Sequence, residues 1–161
     1  MYSGIGKIDN IEGFLKWPVR YMRIAYEVAN WTSCLSRGVG CVITVDRRLV
    51  ATGYNGAPSG IPSCKELGYC MRKGSPSGEN LEQCLATHAE QNALLQAAKF
   101  GISVKNGDLY VTTFPCSTCM KMIINAGIKR IFYCESYNSP LSVELAKHAN
   151  IELINIPKEF L

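Results

Sequence analysis

Asp108-Leu109-Tyr110-Val111-Thr112-Thr113-Phe114-Pro115-Cys116-Ser117-Thr118-Cys119 reads as a strand that runs straight into a helix. Leu109, Val111 and Thr113 alternate along a β-branched run, so Asp108 to Phe114 is predicted as a strand delivering Pro115 and Cys116 at its end. Cys116 to Ala126 follows as a helix with Cys119 one turn on and on the same side, and Gly127 stops it. Ile128 to Cys134 is then a strand, Leu141 to Ala149 a helix and Ile151 to Ile156 a last strand. Such alternation implies right-handed crossovers and parallel pairing. Upstream, the β-branched run Val39 to Val45, a turn at Asp46-Arg47-Arg48 and a second strand from Leu49 to Tyr54 make a hairpin. Earlier still, Trp17-Pro18 opens a helix from about Pro18 to Trp31, with Met22, Ala25, Tyr26 and Ala29 as the stripe that covers the sheet. Residues 1–17 read as a mixed tail or lead-in held by Phe14 and Trp17. The predicted fold is α/β, a three-layer α/β/α sandwich around a mixed five-stranded sheet.

At 161 residues the chain suits one domain, residues 1–161, with 47% hydrophobic and 19% charged residues as in ordinary globular proteins. No apolar run reaches membrane-spanning length and the N-terminus lacks a signal-peptide profile, so a cytoplasmic protein with no membrane partner is expected. The formal net charge of +4 suits a phosphate-bearing partner. No Lys/Arg cluster forms a polybasic strip, and no nucleic-acid partner is expected. Internal repeats, heptads and low-complexity segments are absent.

Eight cysteines without a secretory signal point to metal binding or buried thiols rather than disulfides. The stretch Gly53-Tyr54-Asn55-Gly56-Ala57-Pro58-Ser59-Gly60 is too rich in glycine and proline to extend a strand. It is either a plain loop or a ligand loop in which Asn55 offers both a donor and an acceptor. A long aperiodic insertion follows at about residues 61–84, with Cys64, Cys70 and Cys84 in or beside it. With Cys34 these could form an all-thiolate zinc site, or they could be scattered buried thiols, since no C-x-x-C pair occurs among them. Cys41 and Cys134 sit inside apolar strands as core residues.

Thr87 can cap a helix that runs to Phe100 before Gly101. At its start lies Thr87-His88-Ala89-Glu90. His88, Cys116 and Cys119 can fill three corners of a zinc tetrahedron, leaving the fourth for water. Two thiols at a helix N-terminus ionise readily. Residues two apart do not share a helical face, so His88 and Glu90 can both approach a metal only from an unfinished first turn. There Glu90 is free to take a proton from the water and hand it to a leaving group. A closed zinc knot or two unrelated core cysteines is the bland alternative. It needs a nearby fourth ligand, the other histidine, His148, is distant in sequence, and Glu90 would have no task.

H-A-E followed by P-C-x-x-C is the signature of zinc-dependent nucleoside and nucleotide deaminases. With Val39-Gly40-Cys41-Val42-Ile43, Gly53-Tyr54-Asn55-Gly56-Ala57-Pro58, Ser77-Gly78, His88 to Ala93 and Tyr133-Cys134-Glu135-Ser136-Tyr137, the chain resembles the cytidine and deoxycytidylate deaminase superfamily from about Met22 to Pro157, its deoxycytidylate branch above all. The resemblance implies dCMP as substrate, dUMP and ammonia as products, and dUMP supply for thymidylate synthesis. It implies hydroxide attack at C4 of cytosine, with Glu90 moving the proton to N3 and then to the amine. Ala89, through its N–H, and Thr112 and Pro115, through carbonyls, would read the pyrimidine edge; Asn55 would bind the sugar hydroxyl, and Ser36, Arg37 and Tyr137 fall on the phosphate side.

The resemblance further implies a homo-hexamer activated by dCTP and inhibited by dTTP, with Mg and the effector near Tyr54, Asn55 and Gly56. Cys34 and Cys64 match positions that hold a structural zinc in some relatives, and Cys70 and Cys84 are the candidates for completing it. Two rival readings are another cytosine or adenine deaminase and a non-catalytic scaffold that binds zinc and nucleotide.

Overall fold

Val42, Tyr110 and Phe132 stand side by side on three adjacent strands, while Cys41, Ile43, Leu109, Val111 and Ile131 alternate with them toward the other face. Both faces of the sheet are therefore apolar, and each needs a helical cover. The structure is a computed structural model that describes residues 11–161, apart from the side chains at positions 11, 12, 14 and 15. In chain order it contains α1 (Ile11–Ala29), β1 (Gly40–Val45), β2 (Arg48–Tyr54), α2 (Cys64–Leu67), α3 (Ala89–Lys99), β3 (Asp108–Thr113), α4 (Ser117–Asn125), β4 (Arg130–Glu135), α5 (Pro140–His148) and β5 (Glu152–Asn155).

The five strands lie in the order β2-β1-β3-β4-β5. β1 is antiparallel to both β2 and β3, whereas β3, β4 and β5 run parallel, so the sheet is mixed as expected. Helix α1 covers one face through Tyr21, Met22, Ala25 and Val28. Helices α3, α4 and α5 cover the other through Ala93, Ala97, Met120, Ile123 and Ala146. Tyr110 and Phe132 stack at 4.7 Å and 11° beneath α1. A side chain as fully buried as Phe132 contributes about 2 kcal/mol through loss of apolar surface to water.

Two elements depart from the sequence reading. Helix α1 starts at Ile11, not Pro18, so part of the expected irregular lead-in is helical and the remainder, residues 1–10, lies outside the described residues. Pro18 is buried inside the helix. Its φ is as compatible with an interior turn as with a first one, and only the missing N–H and the clash with the carbonyl four residues back are penalised. Trp17, expected to hold the lead-in, stacks on Tyr21 at 6.0 Å but remains 41% exposed. At the other end Asn30, Trp31 and Thr32 bond three residues back, to Glu27, Val28 and Ala29, so the last turn tightens and the regular helix stops before Trp31.

The insertion holds more structure than its lack of periodicity suggests. Glu66 N–H donates to Ser63 Oγ (3.2 Å) and Ser63 N–H to Glu66 Oε2 (2.7 Å), a reciprocal cap that sets the single turn of α2. A 3₁₀ turn, Leu81–Gln83, closes the segment.

Two glycines fix how tightly helices sit on the sheet. A Cβ on Gly40 would lie 1.9 Å from the Ala25 carbonyl oxygen in α1, and one on Gly53 would lie 2.2 Å from the Ala89 oxygen and 2.4 Å from the Ala93 nitrogen in α3. Gly53 therefore serves close helix packing. On the outer edge, Thr52 N–H of β2 donates to Gln96 Oε1 of α3 at 2.7 Å.

Candidate active site

His88 and Cys116 occupy equivalent places: each is the extended residue immediately before a helix, α3 and α4, at φ near −69° and ψ of 156° and 167°. The sheet brings those helix starts together because β3 leads directly into Cys116, while Thr87, ahead of His88, is pinned to Gly56 by two main-chain hydrogen bonds of 2.9 and 3.2 Å. Thr87 is thus spent on that bridge, and His88 takes the cap position assigned to it, with its N–H donating to Gln91 Oε1 at 2.8 Å. Glu90 falls within the first turn of α3, where it can approach the same point as His88.

His88 Nδ1 lies 3.6 Å from Cys116 Sγ and 3.4 Å from Cys119 Sγ. A tetrahedral zinc with its usual N and S bond lengths would hold such donors about 3.6 Å apart, so the triangle fits the ion. Among the described residues no other three His, Cys, Asp or Glu side chains bring their ligating atoms within 4.8 Å of one another. The ionisation pattern is equally biased. Hydrogen bonds from Cys119 first, and from His88, pull the Cys116 thiol down to about 4, so it is a ready thiolate. Cys119 is pushed up by its bond to that neighbour and by burial. His88 is raised by its hydrogen bond to Cys116, against burial and the charge of Arg72. Burial pushes the Glu90 carboxyl up to about 6, although its own N–H, His88 and the Cys119 hydrogen bond act in the opposite direction. A carboxyl near 6 can accept or return a proton close to neutrality.

A cavity of about 310 Å³ opens over this cluster, large enough for a small ligand. His88, Ala89, Glu90 and Cys116 line its base; Ser36, Arg37, Asn55 and Tyr137 also border it. Asn55 is 8% exposed and largely committed to the fold: Oδ1 accepts from Val39 N–H (2.8 Å) and Thr32 Oγ1 (2.9 Å), and Nδ2 donates to the Arg37 carbonyl (2.9 Å). One amide proton remains for a ligand. Thr112 and Pro115 do not line the cavity, whereas Thr113, Phe114 and Cys116 do. Thr112 shares the strand face of Tyr110, directed to α1, because side chains alternate along β3. Tyr54 sets its ring edge-on to Trp31 at 6.2 Å, and Gly56 is buried in its bridge to Thr87; neither borders the cavity.

The sequence reading missed Arg72, Thr113 and Phe114 as lining residues. The strand end just before Pro115-Cys116 was a usable signal for the last two. Nothing local marks Arg72, which depends on the path of the insertion.

Cys34, Cys64, Cys70 and Cys84 gather in one neighbourhood. Burial raises the Cys64 thiol, as do the adjacent Cys70, Cys34 and Cys84 and a hydrogen bond with Cys70. No three of these sulfurs meet within 4.8 Å, wider than the roughly 3.8 Å edge of a tetrahedral zinc–thiolate site. A second hollow, about 500 Å³, lies at the opposite end of the sheet, where Arg130 forks onto Asp108 at 2.7 and 2.6 Å and the charges largely balance.

A mixed sheet that presents one imidazole, two thiols and a buried carboxylate from two helix starts has the architecture of the zinc deaminases. Consistent with this, the family model "Cytidine and deoxycytidylate deaminase zinc-binding region" matches residues 15–135, and the chain belongs to that family. It is 44% identical over 124 residues to deoxycytidylate deaminase of Schizosaccharomyces pombe, covering 76% of this chain and 38% of that protein. It is 33% identical over 173 residues to deoxycytidylate deaminase of Enterobacteria phage T4, covering 87% and 90%. The chain therefore spans well under half the length of the yeast relative but most of the phage one. A crystal structure of dCMP deaminase from cyanophage S-TIM5 with dCMP and dUMP superposes with a TM-score of 0.74 at 28% identity, covering 88% of this chain and 97% of that one. No described helix is long and apolar enough to cross a membrane.

Proposed function

We propose that the protein deaminates dCMP hydrolytically to dUMP and ammonia. The observation that carries this reading is the buried Glu90 carboxyl beside the His88–Cys116–Cys119 triangle, whose spacing suits zinc. The names of the yeast and phage relatives and the nucleotides held by the cyanophage enzyme support dCMP as substrate. Zinc on His88, Cys116 and Cys119 would supply the Lewis acidity that makes water a nucleophile at neutral pH. Glu90 takes one proton of the attacking water and delivers it to N3 as the water oxygen bonds to C4. It then takes the remaining proton of the C4 hydroxyl and gives it to the amine, which leaves as ammonia as the C4–N bond breaks and the C4 carbonyl forms. Ala89 N–H holds the pyrimidine edge from the cavity lining. The spare Asn55 amide proton meets the sugar hydroxyl, and Ser36, Arg37 and Tyr137 border the phosphate end.

The same proposal takes residues 1–161 as one deaminase domain, with the insertion at about 61–84 held by a structural zinc on Cys34, Cys64, Cys70 and Cys84. It also includes a cytoplasmic homo-hexamer that supplies dUMP for thymidylate synthesis, activated by dCTP and inhibited by dTTP, with Mg and effector at Tyr54, Asn55 and Gly56. Turnover of dCMP, deoxycytidine, cytidine and a tRNA stem-loop, each with and without dCTP and magnesium, tests it. The expected result is selective turnover of dCMP that rises with dCTP; preference for the stem-loop or for cytidine would overturn the substrate assignment. For the second metal, zinc analysis should return about two ions per chain in the native protein and about one after Cys64→Ser with Cys70→Ser. A native value near one would eliminate that site.

A further inference from the structure

Two arginines border the cavity, and their surroundings differ. Arg37 Nη2 lies 2.9 Å from Glu135 Oε2 and donates to Thr113 Oγ1 at 3.0 Å, so its charge is already matched. Tyr26 holds the other Glu135 oxygen at 3.2 Å, which keeps the carboxylate facing Arg37. Arg72 reaches the cavity from the insertion and is half-buried. Its Nε donates to the Glu79 carbonyl at 3.0 Å and its Nη2 to the Pro76 carbonyl at 3.3 Å. Those are neutral acceptors, and among the described residues no carboxylate comes within 4.0 Å of its guanidinium. The two carbonyls fix the plane of the group yet leave three of its five N–H donors unspent.

The insertion that carries Arg72 is also docked against the far wall. A Cβ at Gly78, whose φ is +83°, would sit 3.0 Å from the Tyr137 hydroxyl, so the loop backbone lies directly on that residue. Arg72, Ser75, Ser77 and Tyr137 accordingly line the same cavity as His88 and Glu90. An oriented, half-desolvated guanidinium with no carboxylate partner is what a planar, multiply bonded phosphate contact requires.

We propose that Arg72 is the specificity-determining residue that distinguishes a nucleoside 5′-monophosphate from its nucleoside, with the Glu135-paired Arg37 beside it at the phosphate end. The proposal rests on the deamination reading for the identity of the ligand, and its test does not use turnover. Affinities of the zinc-loaded protein for dUMP and for 2′-deoxyuridine are measured by calorimetry in wild type, Arg72→Gln and Arg72→Lys. Wild type is expected to favour dUMP; Arg72→Gln is expected to weaken dUMP about 100-fold with deoxyuridine held within about twofold, and Arg72→Lys to keep an intermediate preference. An equal loss for both ligands in Arg72→Gln would show a loop strut and overturn the proposal. So would an undiminished dUMP preference in that variant, or no preference in wild type. A wild type that binds dUMP through Arg72 but releases no ammonia from dCMP would sink the deamination reading and leave the Arg72 assignment standing.

Discussion

Glu90→Gln is expected to lose roughly a thousandfold in kcat on dCMP while binding as much zinc as wild type. The side chain is 4% exposed and stands beside the His88–Cys116–Cys119 triangle without belonging to it. Glutamine keeps the shape and can still accept from Cys119, but it cannot carry a proton between water, ring nitrogen and amine. Folding should not suffer, because burial disfavours the charged carboxylate that is removed, so the unfolding midpoint should hold or rise. Zinc content, the denaturation midpoint and ammonia release on one preparation check all three points. Wild-type turnover by the variant would remove Glu90 from the proton path.

Gly53→Ala should cost about 3 kcal/mol of stability, near the upper end of overpacking effects. The new methyl would meet the Ala89 oxygen at 2.2 Å and the Ala93 nitrogen at 2.4 Å, both main-chain atoms of α3 that no rotamer change can move aside. Relief requires lifting α3 from β2, and α3 begins at His88 and carries Glu90, so zinc affinity should fall along with stability. Gly56→Ala is the control, since its nearest neighbours are the Ser33 hydroxyl at 3.2 Å and the Tyr54 ring at 3.4 Å, which are side chains able to shift. Denaturant titration of the two variants beside wild type measures the difference; equal midpoints for Gly53→Ala and wild type would mean the helix does not rely on that contact.

The mixed five-stranded sheet and the His-Cys-Cys cluster were legible because their signals are local. Alternation in Asp108–Thr113, the cysteine spacing at Cys116 and Cys119, and the short distance from His88 to Glu90 each occupy one turn or one strand. Even the α2 turn had a readable mark in Ser63 and Glu66, hidden by attention to apolar periodicity. What escaped depends on partners remote in sequence. Thr87 looked like a cap until Gly56 claimed its main chain, and Pro18 looked like a helix start although the helix continues through it. Arg37 looked available until Glu135, far along the chain, matched its charge, and Arg72 came to the cavity through an insertion whose course no periodicity encodes.

The Gln96 amide on the rim of β2 bears on how the molecule behaves in a crowd. A border strand offers unsatisfied main-chain donors to any extended peptide that drifts by, a usual starting point for intermolecular β-stacking. By accepting from Thr52 at 2.7 Å, Gln96 occupies one rung of that ladder with a side chain of the molecule's own. A foreign strand would have to evict it before it could register, so this border is guarded against templated aggregation by the helix that also starts at His88.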